Sequence, residues 1–218
     1  MLDLEKKKDY LIEHWIKNSI ITDKALIKAF QELPRENFIL KEYKDRAYDD
    51  YPLPILENQT ISQPTTVMLM TQALELKKND KILEIGTGSG YQAALISKII
   101  GIKGAVVSTE IMPELIKFAK SNIKKLKIKN IKMIKSKDNE IGCKKYAKYD
   151  KIIVTAALPE IPPELYKQLK DNGIIVAPVG SEFSQEMLKI KKLFYNKYNV
   201  KRLGMFQFVP VRGKFGFM

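Results

Sequence analysis

The run Glu84-Ile85-Gly86-Thr87-Gly88-Ser89-Gly90 constrains the fold of this chain more than any other feature. It leaves a β-branched segment, residues 81–85, and enters a helical pattern that continues to about Ile100. Glycines at a strand-to-helix turn let backbone amides approach a ligand at the helix N-terminus. The alternation then repeats, with strands expected at 105–109, 131–134, 151–154 and 173–177. Helices are expected at 113–126 and 163–169. Short β-branched runs separated by helices require a parallel sheet covered on both faces. Beyond residue 180 the pattern changes. Residues 187–195 and 200–209 alternate apolar and polar, as antiparallel strands added at one edge do.

Upstream of the glycine run, residues 5–32 read as two amphipathic helices. Leu4, Leu11, Ile12, Trp15 and Ile16 recur at helical spacing, and Thr22 is placed as the cap of a helix closed by Pro34. His14 and Trp15 read as helix packing. Residues 41–60 hold Pro52, Pro54 and several tyrosines and aspartates without a period, too long a stretch to be an idle connection. Pro64 opens an apolar helix, with Ser62 as a candidate cap.

Residue inventory narrows the chemistry. One cysteine, Cys143, and one histidine, His14, cannot assemble a zinc site or an internal disulfide, so no metal is expected. Cys143 reads as a passive thiol. The N-terminus lacks the basic-then-apolar order of an export signal, which makes a cytoplasmic protein the default. The longest uncharged stretch, 58–74, is too polar to span a membrane. The net charge of +13, from 38 basic and 25 acidic residues, raises the question of nucleic acid. Only Arg35, Arg46, Arg202 and Arg212 among those basic residues are arginines, and specific phosphate and base recognition favours the arginine fork. The charge therefore reads as a solvated lysine surface rather than a specific nucleic-acid site.

Glu110 stands at the end of the second strand, where a carboxylate can accept ribose hydroxyls. That role serves NAD and S-adenosylmethionine alike. The glycine spacing separates them: a nicotinamide fingerprint needs G-x-G-x-x-G, and here the third glycine comes one residue early. The loop therefore favours a methyl donor.

Pro52-Leu53-Pro54-Ile55 followed by Gln59-Thr60-Ile61-Ser62-Gln63-Pro64 resembles the signature of the protein-L-isoaspartate (D-aspartate) O-methyltransferases. The glycine run and its continuation Tyr91-Gln92-Ala93-Ala94 are similar to that family too. So are Leu33-Pro34-Arg35-Glu36-Asn37-Phe38, Ala47-Tyr48-Asp49-Asp50, residues 152–157, Pro178-Val179-Gly180, Ser184-Gln185-Glu186 and Phe208-Val209-Pro210, in order. The resemblance runs from about residue 20 to the C-terminus. It implies a class I S-adenosylmethionine-dependent methyltransferase fold: α/β, with a doubly wound, mainly parallel seven-stranded sheet and antiparallel C-terminal strands. A single domain is expected, with 1–60 shaping the substrate side, 61–180 forming the cofactor-binding core and 181–218 the edge strands.

The resemblance implies Ser62 at the reacting carboxylate, with Thr60, Ile61, Gln63 and Val209 around the substrate. It places Glu84, Gly86, Thr87, Gly88, Glu110, Ile111, Asp138 and Asn139 around S-adenosylmethionine, whose product is S-adenosylhomocysteine. One departure stands out: where the family carries Gly-Asp-Gly near adenine, this chain has Lys137-Asp138-Asn139. The implied substrates are damaged proteins and peptides bearing isoaspartyl, and by extension D-aspartyl, residues, acted on by a monomer. No membrane and no specific nucleic acid are expected as partners.

Methylating a carboxylate needs no strong base, because a carboxyl of pKa about 4 is already ionised at neutral pH. Two other readings stand beside this one: a class I methyltransferase acting on RNA or DNA, and a cofactor-binding paralogue without activity. The first lacks its usual signature, since Val154-Thr155-Ala156-Ala157 stands where amino-group methylation uses an Asn/Asp-Pro-Pro-aromatic run. Arg212 and Lys214 read as a solvated tail with a possible place at the substrate mouth.

Overall fold

A computed structural model describes residues 3–217, so Met1 and Leu2, part of the segment inspected for an export signal, lie outside the described residues. Helices α1 (Leu4–Lys17) and α2 (Lys24–Glu32) lead into two 3-10 turns, Arg35–Phe38 and Lys41–Arg46. A two-residue pair follows, β1 (Leu53–Pro54) with β2 (Thr60–Ile61), antiparallel, and then α3 (Pro64–Ala73). The alternating core comprises β3 (Lys81–Ile85), α4 (Tyr91–Ile100), β4 (Ala105–Glu110), α5 (Pro113–Lys125), β5 (Ile131–Lys135), β6 (Tyr149–Val154) and α6 (Pro163–Gln168). It ends with β7 (Leu169–Gly180), β8 (Gln185–Lys192) and β9 (Tyr198–Phe206).

The seven-stranded sheet has the order β5-β4-β3-β6-β7-β8-β9. The pairs among β5, β4, β3, β6 and β7 are parallel, and β8 and β9 add antiparallel. Because β3 sits between β4 and β6, the chain reverses its direction of travel there. Ligands of open parallel sheets bind at such a switch point, beyond the carboxyl ends of the strands.

Strand periodicity sorts the apolar residues onto two faces. Ile82, Val106, Ile153, Ile174 and Val176 pack under α3 and α4 with Met70, Leu74, Ala93 and Ile96. Leu83, Val107, Ile152, Ile175 and Ala177 face the other side, with Leu165 of α6 and Ile141. Each fully buried Val, Leu or Ile contributes roughly 1.5–3 kcal/mol. A third cluster joins the N-terminal segment to this layer, with Trp15, Leu26, Phe30, Phe38 and Tyr48 continuous with Tyr91 and Leu95 of α4 and Leu115 of α5. Trp15 meets Phe30 edge-on at 4.8 Å, and Phe38 meets Tyr91 at 5.3 Å.

Several local expectations change. Ile16, at 55% exposure, and His14 face solvent, because the buried stripe of α1 runs through Lys8, Leu11, Ile12 and Trp15. Asp23, not Thr22, caps α2: its Oδ1 accepts the amides of Ala25 and Leu26 at 2.8 and 3.1 Å. Thr22 instead turns toward Gln72. Nor does Ser62 cap α3, since Asp50 reaches in from the preceding loop and accepts from the Thr65 amide at 2.9 Å and its hydroxyl at 2.7 Å. Trp15 Nε1 also donates to that hydroxyl, at 2.7 Å. Leu169 starts β7 rather than ending the helix, and β9 stops at Phe206, after which Pro210 bridges to Ala157.

Replacing Asp23 by alanine should cost about 1 kcal/mol, a fall in melting temperature of about 2–4 °C for a chain of this size. Thermal denaturation of Asp23→Ala checks this, and an unchanged midpoint would place the capping energy elsewhere.

Candidate active site

The site lies where the switch-point rule places it. At the end of β3 the chain turns through Gly86 at φ +94°, and a Cβ there would come within 2.5 Å of Thr155 Oγ1 at the end of β6. Thr155 uses that closeness: its hydroxyl donates to the carbonyl of Gly86 at 2.7 Å, and its amide to that of Ile85 at 2.9 Å. Gly90, at φ +85°, brings the start of α4 against Ala119 of α5, where a Cβ would sit at 3.2 Å. The spacing read as a ligand loop thus also answers two packing demands.

Glu110 closes the loop from the neighbouring strand. Its Oε2 accepts the Gly88 amide at 3.0 Å, and its Oε1 accepts the amides of Ile111 and Met112 at 2.9 and 3.2 Å. A carboxylate offers about four acceptor sites, so capacity remains for a further donor.

Beneath the loop lies a polar line inside the apolar layer. Glu84 is fully buried, on the face of β3 that Ile82 shares. Ser108 Oγ donates to Glu84 Oε2, and Thr87 Oγ1 lies 2.6 Å from Ser108 Oγ. Glu84 Oε1 has no partner among the described residues. Burial pushes the Glu84 carboxyl up to about 8, opposed by the Ser108 hydrogen bond and reinforced by the charge of Glu110. Burial thus favours the neutral form of Glu84, which reaches the loop through Ser108 and Thr87.

These elements border one cleft of about 1110 Å³, open to solvent. Of the residues anticipated from the sequence, Thr60, Ile61, Ser62, Gly86, Thr87, Gly88, Glu110, Ile111 and Val209 line it. The loop residues and Thr60–Ser62 thus line the same cleft. Ser62 is half-buried, and its hydroxyl has no partner among the described residues. Val209 arrives because the C-terminal segment runs along residue 157, with the Ala157 amide donating to the Val209 carbonyl at 2.8 Å and the Val211 amide to that of Ala157 at 2.9 Å.

Four anticipated residues stand off the cleft wall. Glu84 lies under the loop, and Gln63 turns toward Thr66, whose hydroxyl donates to its Oε1 at 3.2 Å. Asp138 and Asn139 are exposed; the Asp138 carbonyl accepts the Lys214 amide at 2.7 Å. In their place Ser136, Lys137, Glu140 and Ile141 form that wall. Met112, Thr155 and Arg212 were also missed as lining residues, Arg212 having been read mainly as a solvated tail. Position after a strand's carboxyl end was the available signal for Met112, Ser136 and Thr155; Arg212 had none. The described residues contain no cluster of three or more metal-ligating His, Cys, Asp or Glu side chains, and no helix long and apolar enough to cross a membrane.

The family model for protein-L-isoaspartate(D-aspartate) O-methyltransferases matches residues 6–216. The chain belongs to that family. A protein-L-isoaspartate O-methyltransferase of Archaeoglobus fulgidus is 40% identical over 99% of this chain and 97% of its own. One from Methanococcus aeolicus is 42% identical over 97% of this chain and 96% of its own. Among solved structures, a protein-L-isoaspartate O-methyltransferase superposes with a TM-score of 0.85 at 30% identity, over 96% of this chain and 67% of its own. A Plasmodium falciparum structure described as such an enzyme, in complex with S-adenosyl-L-homocysteine, gives 0.80 at 28% identity over 92% and 95%. The fold is thus that of the class I methyltransferases, with its antiparallel strands at the C-terminal edge.

The buried acid beneath the loop makes a distinct stability signature. The folded pKa of Glu84, about 8, exceeds its ordinary value of 4.5, so the folded state holds the extra proton between those values. Its contribution is fully present below pH 4.5 and is lost as pH rises through about 8. Glu84→Gln, neutral at every pH, should therefore gain stability relative to the parent as pH rises. Urea unfolding at pH 5, 7 and 9 measures the difference, and parallel pH curves would show that Glu84 is not held neutral.

Proposed function

We infer that this chain transfers a methyl group from S-adenosylmethionine to the free carboxylate of L-isoaspartyl residues in damaged proteins. The observation that carries the reading is one cleft lined both by the glycine loop with Glu110 and by Thr60, Ile61 and Ser62. The residues present fit the cofactor. Gly86 leaves no room for a side chain, the loop amide of Gly88 is fixed by Glu110, and Glu110 keeps acceptor capacity for ribose hydroxyls. Thr87, Gly88, Ile111 and Met112 would border the nucleoside, with Ser136, Glu140 and Ile141 on the adenine side in place of Asp138 and Asn139. When bound, the cofactor supplies an electrophilic methyl group on a good leaving group.

The protein's own task is positioning. The substrate carboxylate is already ionised at neutral pH, so no side chain needs to take a proton. Ser62, whose hydroxyl has no partner among the described residues, donates a hydrogen bond that orients the carboxylate, and Thr60 lies on the same rim. Val209 and Val67 present apolar walls that strip water from the nucleophile. His14, on the exposed face of α1, takes no part. The excess lysine charge is a solvated surface, and no specific nucleic acid is a substrate.

Labelled S-adenosylmethionine incubated with matched isoaspartyl and aspartyl peptides, with RNA and DNA in parallel, tests the reading; transfer should reach the isoaspartyl peptide alone. Ser62→Ala should lower kcat/KM by about 2 kcal/mol, the low end for a hydrogen bond aimed at a reacting group, with part of the loss appearing as a raised KM because the carboxylate binds the hydroxyl most strongly before its charge disappears. Cofactor affinity and melting temperature should hold, since Asp50 rather than Ser62 caps α3. Full activity of Ser62→Ala, or methylation of nucleic acid instead of peptide, would overturn the assignment.

A further inference from the structure

Arg35 belongs to a motif that the cleft does not absorb, Leu33-Pro34-Arg35-Glu36, and it is completely buried. Its Nε donates to the Ala47 carbonyl at 2.8 Å and its Nη2 to the carbonyl of Ser62 at 2.7 Å. The guanidinium lies over the Tyr91 ring, 5.0 Å from the centroid. No carboxylate lies within ion-pair distance among the described residues, and Nη1 has no hydrogen-bond partner. The Tyr91 hydroxyl is equally buried and has no partner among the described residues, and Tyr91 lines the cleft.

A buried cation without an anion is costly unless its charge is used. Two carbonyl contacts could be served by a neutral donor. Burial lowers the Arg35 pKa only to about 10, so the charge persists at neutral pH. The groups facing it are Tyr91, Tyr48, Asp50 and, through Tyr48, Glu36; Asp50 spends both carboxylate oxygens on Thr65. The cation therefore stands directly behind the backbone of Ser62, which lines the cleft.

We propose that Arg35 is a positioning residue whose buried positive charge, set behind Ser62, draws the substrate carboxylate into the cleft and holds it there. The proposal rests on the reading that the substrate is a carboxylate. It acts on the bound anion, and methyl transfer removes that negative charge, so the effect falls on substrate binding rather than on the chemical step.

The test compares Arg35→Met and Arg35→Lys with the parent, using an isoaspartyl peptide and its neutral isoasparaginyl analogue as competitor. Arg35→Met should raise KM for the isoaspartyl peptide tenfold or more, with kcat within about threefold and cofactor affinity unchanged. Its inhibition constant for the neutral analogue should stay near the parent's. Arg35→Lys should keep a near-parent KM at pH 6.5, and that KM should climb toward pH 9 as the buried ammonium loses its proton, while the parent stays flat. A merely structural arginine predicts otherwise: both peptides weakened together, a fall in kcat, or a pH-independent lysine variant, and any of these overturns the proposal. If Arg35→Met does not fold, the pH profile of Arg35→Lys decides alone, and a lysine variant that also fails to fold counts against a charge role. A parent that methylates no isoaspartyl peptide refutes the functional reading instead.

Discussion

The carboxylate of Glu110 holds the arrangement together. It accepts three backbone amides, from Gly88 after β3 and from Ile111 and Met112 after β4. Hydrogen bonds to an ionised acceptor are stronger than neutral ones, and this one is more than nine-tenths buried, where water competes poorly. Two turns from separate strands are thereby fixed relative to each other at the sheet's carboxyl edge. The Thr155 hydroxyl then fixes the same loop to a third strand. A cleft whose floor is backbone can be this exact only because its loops are clamped by side chains.

Around this clamp, two of the buried polar intrusions into the core lie beside the cleft. Glu84, Ser108 and Thr87 form a polar line within the layer covered by α4. Arg35 forms a second intrusion, behind Ser62. Buried polar groups are expensive unless partnered, and Glu84 Oε1, Arg35 Nη1 and Tyr91 hydroxyl are the buried side-chain atoms among the described residues that lack partners. Their concentration beside one cleft fits the general rule that local violations of packing collect where function is carried out.

The parts of the fold most legible in the sequence were those set by short-range periodicity. Alternating β-branched runs and helical stretches located the core strands and helices to within a few residues, because burial on both faces leaves little tolerance for polar substitution. Caps were less legible. Thr22 and Ser62 were the local candidates, but Asp23 won at α2 by the direction of its side chain, and Asp50 at α3 by reaching across from a loop fifteen residues upstream. At Asp138 the loop turns its side chain to solvent and leaves the wall to Ser136, Glu140 and Ile141. His14 and Ile16 lie on the solvent side of α1, a rotation that composition alone cannot set.

The sequence by itself determined the parallel core, the ligand loop after its first strand and the family to which the chain belongs, since each rests on residues adjacent along the chain. Tertiary structure alone decided which side chains meet. It brought Ser62 into one cleft with Gly86 and Glu110, brought Val209 and Arg212 in from the C-terminal segment, and buried Arg35 behind Ser62. Those pairings join segments far apart in the chain. Their energies depend on burial and on distances that only the packed sheet and its covering helices define, so no local pattern could encode them.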